Sequence, residues 1–484
     1  MRQIVGFVIA AVLLGGVACR RSAESPKKIP ITTSSAEARA AFLKGRDLFD
    51  KLRLAEAQPL LDEAISKDPN FAIAHLLRAE TATSTKEFFD HLKAAVAAAD
   101  RASEGERLSI LGVEAGAGGD SKGRGEYWKK LVTLYPDDEQ AHQLLGNHYF
   151  GIQEYDSAIA EYQKVVQLAP GFASAYNQLG YSWKAIERDK DAEASFRKYI
   201  ELIPNEPNPY DSLAELLMKM GRFDESIQFY QKALSVNAQF LTAYGGIAAN
   251  LMYQNKHKEA IEQLQKEFDL TRNDGDRQRA LFEMAVCYAD EGKLSEALKQ
   301  ISKVSALAEQ RGDTATVARN AESQGDLLLN AGKIEEAKAE FARALQLARQ
   351  SDVPDSVKKI SELSNHGKLA LVACAKKDFE TAKKEAEVMR AGFAELDNPN
   401  RMREVHEVLG IVALCQRNYD EAISHLTQAD LQSPYVLFQL ARAHAGRKDA
   451  EKAKTYYQKV ADSHTLPELR YAMVRKVAQK ALGK

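Results

Sequence analysis

Residues 141–149 read AHQLLGNHY and residues 175–183 read AYNQLGYSW, so one pattern of small, apolar and aromatic side chains returns after 34 residues. A period in the range of roughly 20–50 residues marks a chain built from one supersecondary unit used many times. This feature bounds the fold more tightly than length does. A chain of 484 residues is too long for one compact core and would ordinarily divide into about three domains of roughly 150 residues. A repeat array escapes that division, because each unit rests only on its neighbours and the structure grows in one dimension.

The period is helical. In the copy that starts at Glu139, the recurring slots hold His142, Leu145, Gly146, Tyr149, Ala158, Tyr162 and Pro170; in the next they hold Tyr176, Leu179, Gly180, Trp183, Ala192, Phe196 and Pro204. Two antiparallel helices of about a dozen residues cannot bury their apolar stripes alone and must stack on the adjacent pair. Gly146, Gly180 and Ala214 are small where helices cross, and Tyr149, Trp183 and Leu217 fill the space between them. Pro170 and Pro204 end one pair and begin the next.

These slots resemble the tetratricopeptide motif: a large residue, Leu-Gly and an aromatic on a first helix, then Ala and an aromatic on a second, then Pro. The resemblance implies an all-α fold, a right-handed α-solenoid of about twelve helix-turn-helix repeats. Copies start near residues 38, 72, 105, 139, 173, 207, 241, 278, 318, 363, 403 and 434. Residues 36–270 form a regular array and residues 271–465 an irregular one, with a register shift at the polar cluster TRNDGD (271–276) and longer helices or extra linkers beyond it. The copy at 72 is the poorest, with His91 in an alanine slot. Residues 466–484 read as a solvating cap helix carrying Arg470, Arg475, Lys476 and Lys480.

The first 18 residues are of another kind: Arg2, an apolar run from Ile4 to Leu14, then small residues up to Cys19, the pattern of an export signal. GVAC resembles a bacterial lipoprotein processing site with Cys19 as the lipid attachment residue, although Gly16 stands where such sites usually carry leucine. Ordinary cleavage after Ala18 is the alternative. The expected location is the bacterial cell envelope, outer-membrane-anchored and facing the periplasm, or otherwise soluble in the periplasm. Residues 20–35 hold two prolines and 4 Lys/Arg against 1 Glu, and read as part of a flexible tether (19–35) with a reach of about 20 Å.

Net charge is −2, without the basic surplus that phosphate-backbone binding requires, so nucleic acid is not an expected partner. GGDSKGRG (118–125) approaches a phosphate loop, but Arg124 replaces its lysine and Gly125 its Ser/Thr, and no strand precedes it. HEVLG (406–410) lacks the second histidine of a zinc helix, which leaves His406 in a packing slot. Cys287, Cys374 and Cys415 stand singly, and the spacing of the last two places them on neighbouring repeats without fixing a disulfide. No nucleophile, paired-carboxylate or metal grouping is legible, so no enzyme activity, cofactor or metal is expected.

What remains is recognition. In the family the sequence resembles, first helices line a concave groove that holds an extended peptide or a partner's helix. The corresponding sites here are Gln143, Asn147, Phe150, Asn177, Tyr181, Lys184, Asp211, Glu215 and Met218. Family members that clamp a C-terminal carboxylate carry Lys or Arg where Gln143, Asn177 and Asp211 stand, so the acidic pair Asp211 and Glu215 favours a neutral or basic segment instead. The expected function is a membrane-tethered protein–protein interaction scaffold or assembly adaptor. A glycan-binding envelope lipoprotein is the alternative; such proteins need aromatic platforms, and the only tryptophans, Trp128 and Trp183, occupy packing slots. A glycan array set against a pull-down from envelope extract separates the two.

Overall fold

A computed structural model describes residues 28–396 and 398–483. The expected export signal and Cys19 lie outside the described residues. Twelve helical hairpins follow one another: α1 (Ala36–Asp50) with α2 (Leu54–Lys67), α3 (Ala72–Glu80) with α4 (Thr85–Ala98), α5 (Glu104–Ala117) with α6 (Ser121–Leu134), and α7 (Glu139–Gly151) with α8 (Tyr155–Leu168). Next come α9 (Ala173–Ala185) with α10 (Asp189–Leu202), α11 (Asn208–Lys219) with α12 (Phe223–Val236), α13 (Thr242–Tyr253) with α14 (His257–Leu270), and α15 (Asp274–Glu291) with α16 (Leu294–Gln310). The last are α17 (Thr314–Asn330) with α18 (Ile334–Gln350), α19 (Asp355–Ala375) with α20 (Phe379–Ala394), α21 (Pro399–Cys415) with α22 (Tyr419–Leu426), and α23 (Pro434–Gly446) with α24 (Ala450–Ala461). A single helix, α25 (Leu469–Ala481), ends the chain, and no strand occurs among the described residues. The fold is the α-solenoid that the period predicts.

Local chemistry sets the hairpin ends. Ser103 caps α5 in a reciprocal capping box with Glu106, and Asp138 caps α7 through the Ala141 amide. The turns of five successive hairpins, the third to the seventh, reverse through a left-handed residue: Gly119, Gln153, Glu187, Gly221 and Asn255, spaced by the 34-residue period, all have positive φ. At each crossing a large side chain of the second helix lies on a small residue of the first. A Cβ on Gly112, Gly146, Gly180 or Gly325 would overlap the ring of Trp128, Tyr162, Phe196 or Phe341, each sixteen residues further on. The irregularity past residue 271 is resolved as longer helices: α15 to α21 run 16 to 21 residues where α5 to α14 run 12 to 14.

Stacking curves the array. First helices touch one another across hairpins, α7 with α9, α9 with α11, α11 with α13 and α13 with α15, which puts them on the inner, shorter-radius side. The curve returns on itself. Arg319 of α17 donates to the Thr85 hydroxyl at 3.1 Å, Asn400 to the Gly151 carbonyl at 2.8 Å, Arg403 to the Ile152 carbonyl at 2.8 Å and Gln432 to the Ala185 carbonyl at 3.3 Å. Hairpins 2, 4 and 5 are thereby joined to hairpins 9, 11 and 12.

Two sequence-based expectations are corrected. The last helix is no solvating cap, because α25 lies inside the coil against α15, α17 and α23. Arg475, 1% exposed, forks onto Asp290 of α15 with both N–O distances at 2.6 Å, and Arg470 pairs with Glu407. Leu469, Ala472, Val474 and Ala478 are buried at helical spacing, and of the four basic residues only Lys480 is exposed. The apolar stripe draws the helix in, and buried carboxylates wait for its arginines. Residues 28–35, read as part of a tether, are docked along the inter-hairpin turns. The Ile29 amide donates to Asp138 at 2.8 Å, the Thr32 amide to Glu106 at 2.9 Å and the Thr33 hydroxyl to Asp68 at 2.6 Å, while Lys28 pairs with Glu139.

Candidate functional site

The inner face of α7, α9, α11, α13 and α15 is where the expected groove residues fall, and the structure separates them into three sets. Gln143 donates to Asn147 Oδ1 at 3.3 Å, and that oxygen also accepts from the Tyr162 hydroxyl at 2.8 Å. Gln143 Oε1 and Asn177 Oδ1, in equivalent slots of α7 and α9, are buried without a partner. Phe150 is half-buried, whereas Met218 offers no binding surface. Phe150 packs edge-on against Tyr155 at the turn of its own hairpin, ring centroids 5.4 Å apart, and Met218 is fully buried in a core shared with Met252, Leu264 and Tyr471. Tyr471 and Val474 of α25 belong to the same core, so that slot closes.

The third set converges. Lys184 reaches Glu215 at 3.2 Å and lies 4.9 Å from the Tyr181 ring centroid; Tyr181 donates to Ser212 at 3.4 Å. Asp211 and Glu215 then line a cavity of about 240 Å³ bounded by α11, α12, α13, α14 and α15. Its other polar members are Tyr230, Thr242, Arg279 and Glu283; Met252, Leu264 and Val286 supply apolar wall, and Leu466 with Pro467, leading into α25, closes one side. Arg279 is held by Glu267 at 2.8 Å and Asp276 at 3.1 Å, and reaches Glu283 only at 3.9 Å. No cation stands at ion-pair distance from Asp211 among the described residues.

Burial dominates the electrostatics. It drives the Asp211 carboxyl well above the carboxylate range, with Glu215 adding to the shift and Lys184 and Arg279 opposing it. Burial likewise raises Glu283 to about 8, helped by Glu267 and Asp211 against Arg279, and raises Glu267 to about 7. The Tyr230 hydroxyl, 1% exposed, is pushed up by burial and makes no hydrogen bond.

Reading the sequence placed Asp211 and Glu215 here but missed Gly245, Arg279 and Glu283. The signal was present: Gln143, Asn177, Asp211, Gly245 and Arg279 continue one 34-residue step, and Tyr181, Glu215, Ala249 and Glu283 continue another. The supposed register shift at 271–276 hid it, because α15 begins early and keeps the inner face in phase. Elsewhere, Cys374 and Cys415 border the same cavity between α19 and α21 and are free thiols. His406 does pack, half-buried, with its Nδ1 3.0 Å from Nδ1 of His425. Among the described residues no group of three or more His, Cys, Asp or Glu is arranged to hold a metal ion.

Family models place this architecture. The tetratricopeptide repeat-like domain matches residues 242–365, and tetratricopeptide repeat models match 42–106, 127–207, 208–240 and 435–465. The chain belongs to the tetratricopeptide repeat family, whose members bind protein or peptide partners. Similar solved structures include a MamA protein (24% identity over 34% of this chain and 91% of that one, TM-score 0.29) and YrrB, described as a TPR protein with an unusual peptide-binding site (21%, 38% and 93%, TM-score 0.26). A tetratricopeptide repeat protein from Parabacteroides merdae ATCC 43184 matches at 14% identity over 59% of this chain and 99% of that one, with a TM-score of 0.37. No curated protein sequence matches the chain.

Proposed function

We propose that the protein is an interaction scaffold of the bacterial cell envelope that receives a partner polypeptide on the inner face of α7–α11. The observation that carries this reading is the pair of unpartnered amide oxygens, Gln143 Oε1 and Asn177 Oδ1, in the same slot of consecutive inner helices. A buried acceptor without a donor costs about 1–3 kcal/mol, and a backbone N–H of an extended segment is the donor that such a ladder of amides fits. Since neither oxygen holds the fold together, Gln143→Ala with Asn177→Ala should leave melting nearly unchanged and weaken capture of partners from envelope extract by the tagged full-length chain. Undiminished recovery at unchanged melting temperature sinks the reading.

The tether is a separate part of the proposal, resting on Arg2, the apolar run and Cys19. Wild type should sediment with membranes, and Cys19→Ala should be released or left unprocessed. Equal solubility of the two forms removes the anchor but not the scaffold.

A further inference from the structure

We propose that the cavity between α11, α13 and α15 is a binding site for a primary alkylammonium group, supplied by a lysine side chain of the bound partner or by a free alkylamine. The lysine source rests on the scaffold reading above; the site's chemistry does not. Four carboxyls, Asp211, Glu215, Glu267 and Glu283, gather around two cations, Lys184 and Arg279. Lys184 answers Glu215, and Arg279 is spent on Glu267 and Asp276. Asp211 therefore faces the cavity with no cation at ion-pair distance, and Glu283 has only the shared Arg279 at 3.9 Å, a costly arrangement unless something positive joins them.

An independent observation points at a ligand. The Tyr230 hydroxyl, on a side chain 1% exposed, lines the same cavity and has no hydrogen-bond partner. It is an acceptor for one N–H of an ammonium whose remaining N–H groups meet the carboxylates. Acceptors arriving from α11, α12 and α15 suit a group with three diverging donors; a guanidinium asks for one carboxylate face in its own plane. The space comes from Gly245, which stands in the slot that holds Asn177, Asp211 and Arg279 in other hairpins, and on which a Cβ would run into the Glu283 carboxylate. Four methylenes and an ammonium nitrogen need roughly 150 Å³ at about 30 Å³ per heavy atom, which fits within about 240 Å³. Met252, Leu264 and Val286 are the wall for the stem.

Binding a cation requires ionised carboxyls, so ligand uptake should release protons and tighten as pH rises toward about 8, the value to which burial raises Glu283. The titratable and charged groups that line the cavity or adjoin its lining are Asp211 and Glu215 from α11, Tyr181 and Lys184 from α9, Tyr230 from α12, Glu267 from α14, and Arg279, Glu283 and Cys287 from α15. Cys287 is itself raised to about 12 by burial and stays a thiol throughout.

The test is calorimetric titration of the full chain with N-acetyl-lysine-N′-methylamide, its ε-acetylated counterpart and 1-aminobutane. The charged lysine derivative should bind and its acetylated form should not. Equal binding of 1-aminobutane assigns the site to the ammonium and its stem; tighter binding of the lysine derivative assigns it to a polypeptide side chain. Asp211→Asn with Glu283→Gln should weaken binding at least tenfold, and should that variant fail to fold, Ala249→Leu fills the cavity from its apolar side and should abolish binding. Absence of binding, equal binding of the acetylated probe, or undiminished binding to Ala249→Leu overturns the proposal. If the probe fails while partner capture persists, the pocket alone falls; if probe binding holds while the Gln143 and Asn177 substitutions leave capture intact, the amide ladder alone falls.

Discussion

Glu187 holds φ at 61° in the turn between α9 and α10, in a region that costs a residue with a Cβ about 1–2 kcal/mol and costs glycine little. Its side chain is exposed. Glu187→Gly should therefore raise stability by about 0.5–1 kcal/mol in chemical denaturation, after allowing for the freedom glycine adds to the unfolded chain. Gln153 occupies the same turn slot but donates to Asp430 at 2.9 Å, so its glycine variant should gain less. The crossing slot has the opposite sign: Gly180→Leu drives a side chain into the Phe196 ring and should cost about 1–3 kcal/mol. A third residue sets an acid limit. His148 is buried against Trp128, and burial, with Arg124 and Lys129 nearby, lowers it from 6.5 to about 4. Its folded form stays neutral where the unfolded form takes up a proton, so the stability is complete above pH 6.5 and is lost as pH falls toward about 4. His148→Phe should flatten the melting temperature across that window; an unchanged slope places the acid sensitivity elsewhere.

At the scale of the element, the hairpins were legible in the sequence and α25 was not. Each hairpin announces itself through residues that touch within it: Gly146 and Tyr162, or Gly180 and Phe196, are close both in sequence and in space. The surroundings of α25 are distant. Four basic residues in a short terminal stretch read as a wet surface, while the carboxylates that take two of them, Asp290 and Glu407, lie 185 and 63 residues upstream. Composition describes a helix; it does not say which helices will close around it. The inner-face cavity was half legible for a like reason, since Asp211 and Glu215 belong to the regular copies and Glu283 to a lengthened one. Asp290 marks the energetic centre of the docked helix. Burial alone would raise its carboxyl, but Arg475 and His257 outweigh that and hold it below the usual range. Arg475→Ala leaves Asp290, whose side chain is 0% exposed, with only His257 of its two partners, and should cost about 3–5 kcal/mol. Arg475→Lys should recover little, because an ammonium cannot reproduce the fork. A loss under about 1 kcal/mol would mean that α25 detaches and Asp290 finds water.

At the scale of the molecule, an open repeat array and this one should melt differently. In an open array each hairpin is coupled only to its neighbours, so distant parts can unfold separately. Here hairpins 2, 4 and 5 are joined to hairpins 9, 11 and 12 by side chains that donate to the Thr85 hydroxyl and to the carbonyls of Gly151, Ile152 and Ala185, and α25 sits inside against first helices from hairpins 8, 9 and 12. Those bonds close the curve without contributing to any hairpin's own core. Asn400, Arg403 and Gln432 can be replaced by alanine together, since Asn400 and Gln432 are exposed, Arg403 is half-buried and none caps a helix. Each lost bond to a carbonyl is worth about 0.5–1.5 kcal/mol, too little to unfold a hairpin and enough, in sum, to release one turn of the coil from the next. The triple variant should keep its helical circular-dichroism signal at low temperature, show a larger radius of gyration in small-angle scattering, and melt over a broader or divided transition where wild type melts in one. Identical scattering and an equally sharp transition would show that α25 and the hairpin stack hold the closed form by themselves, and that the contacts between successive turns are its consequence.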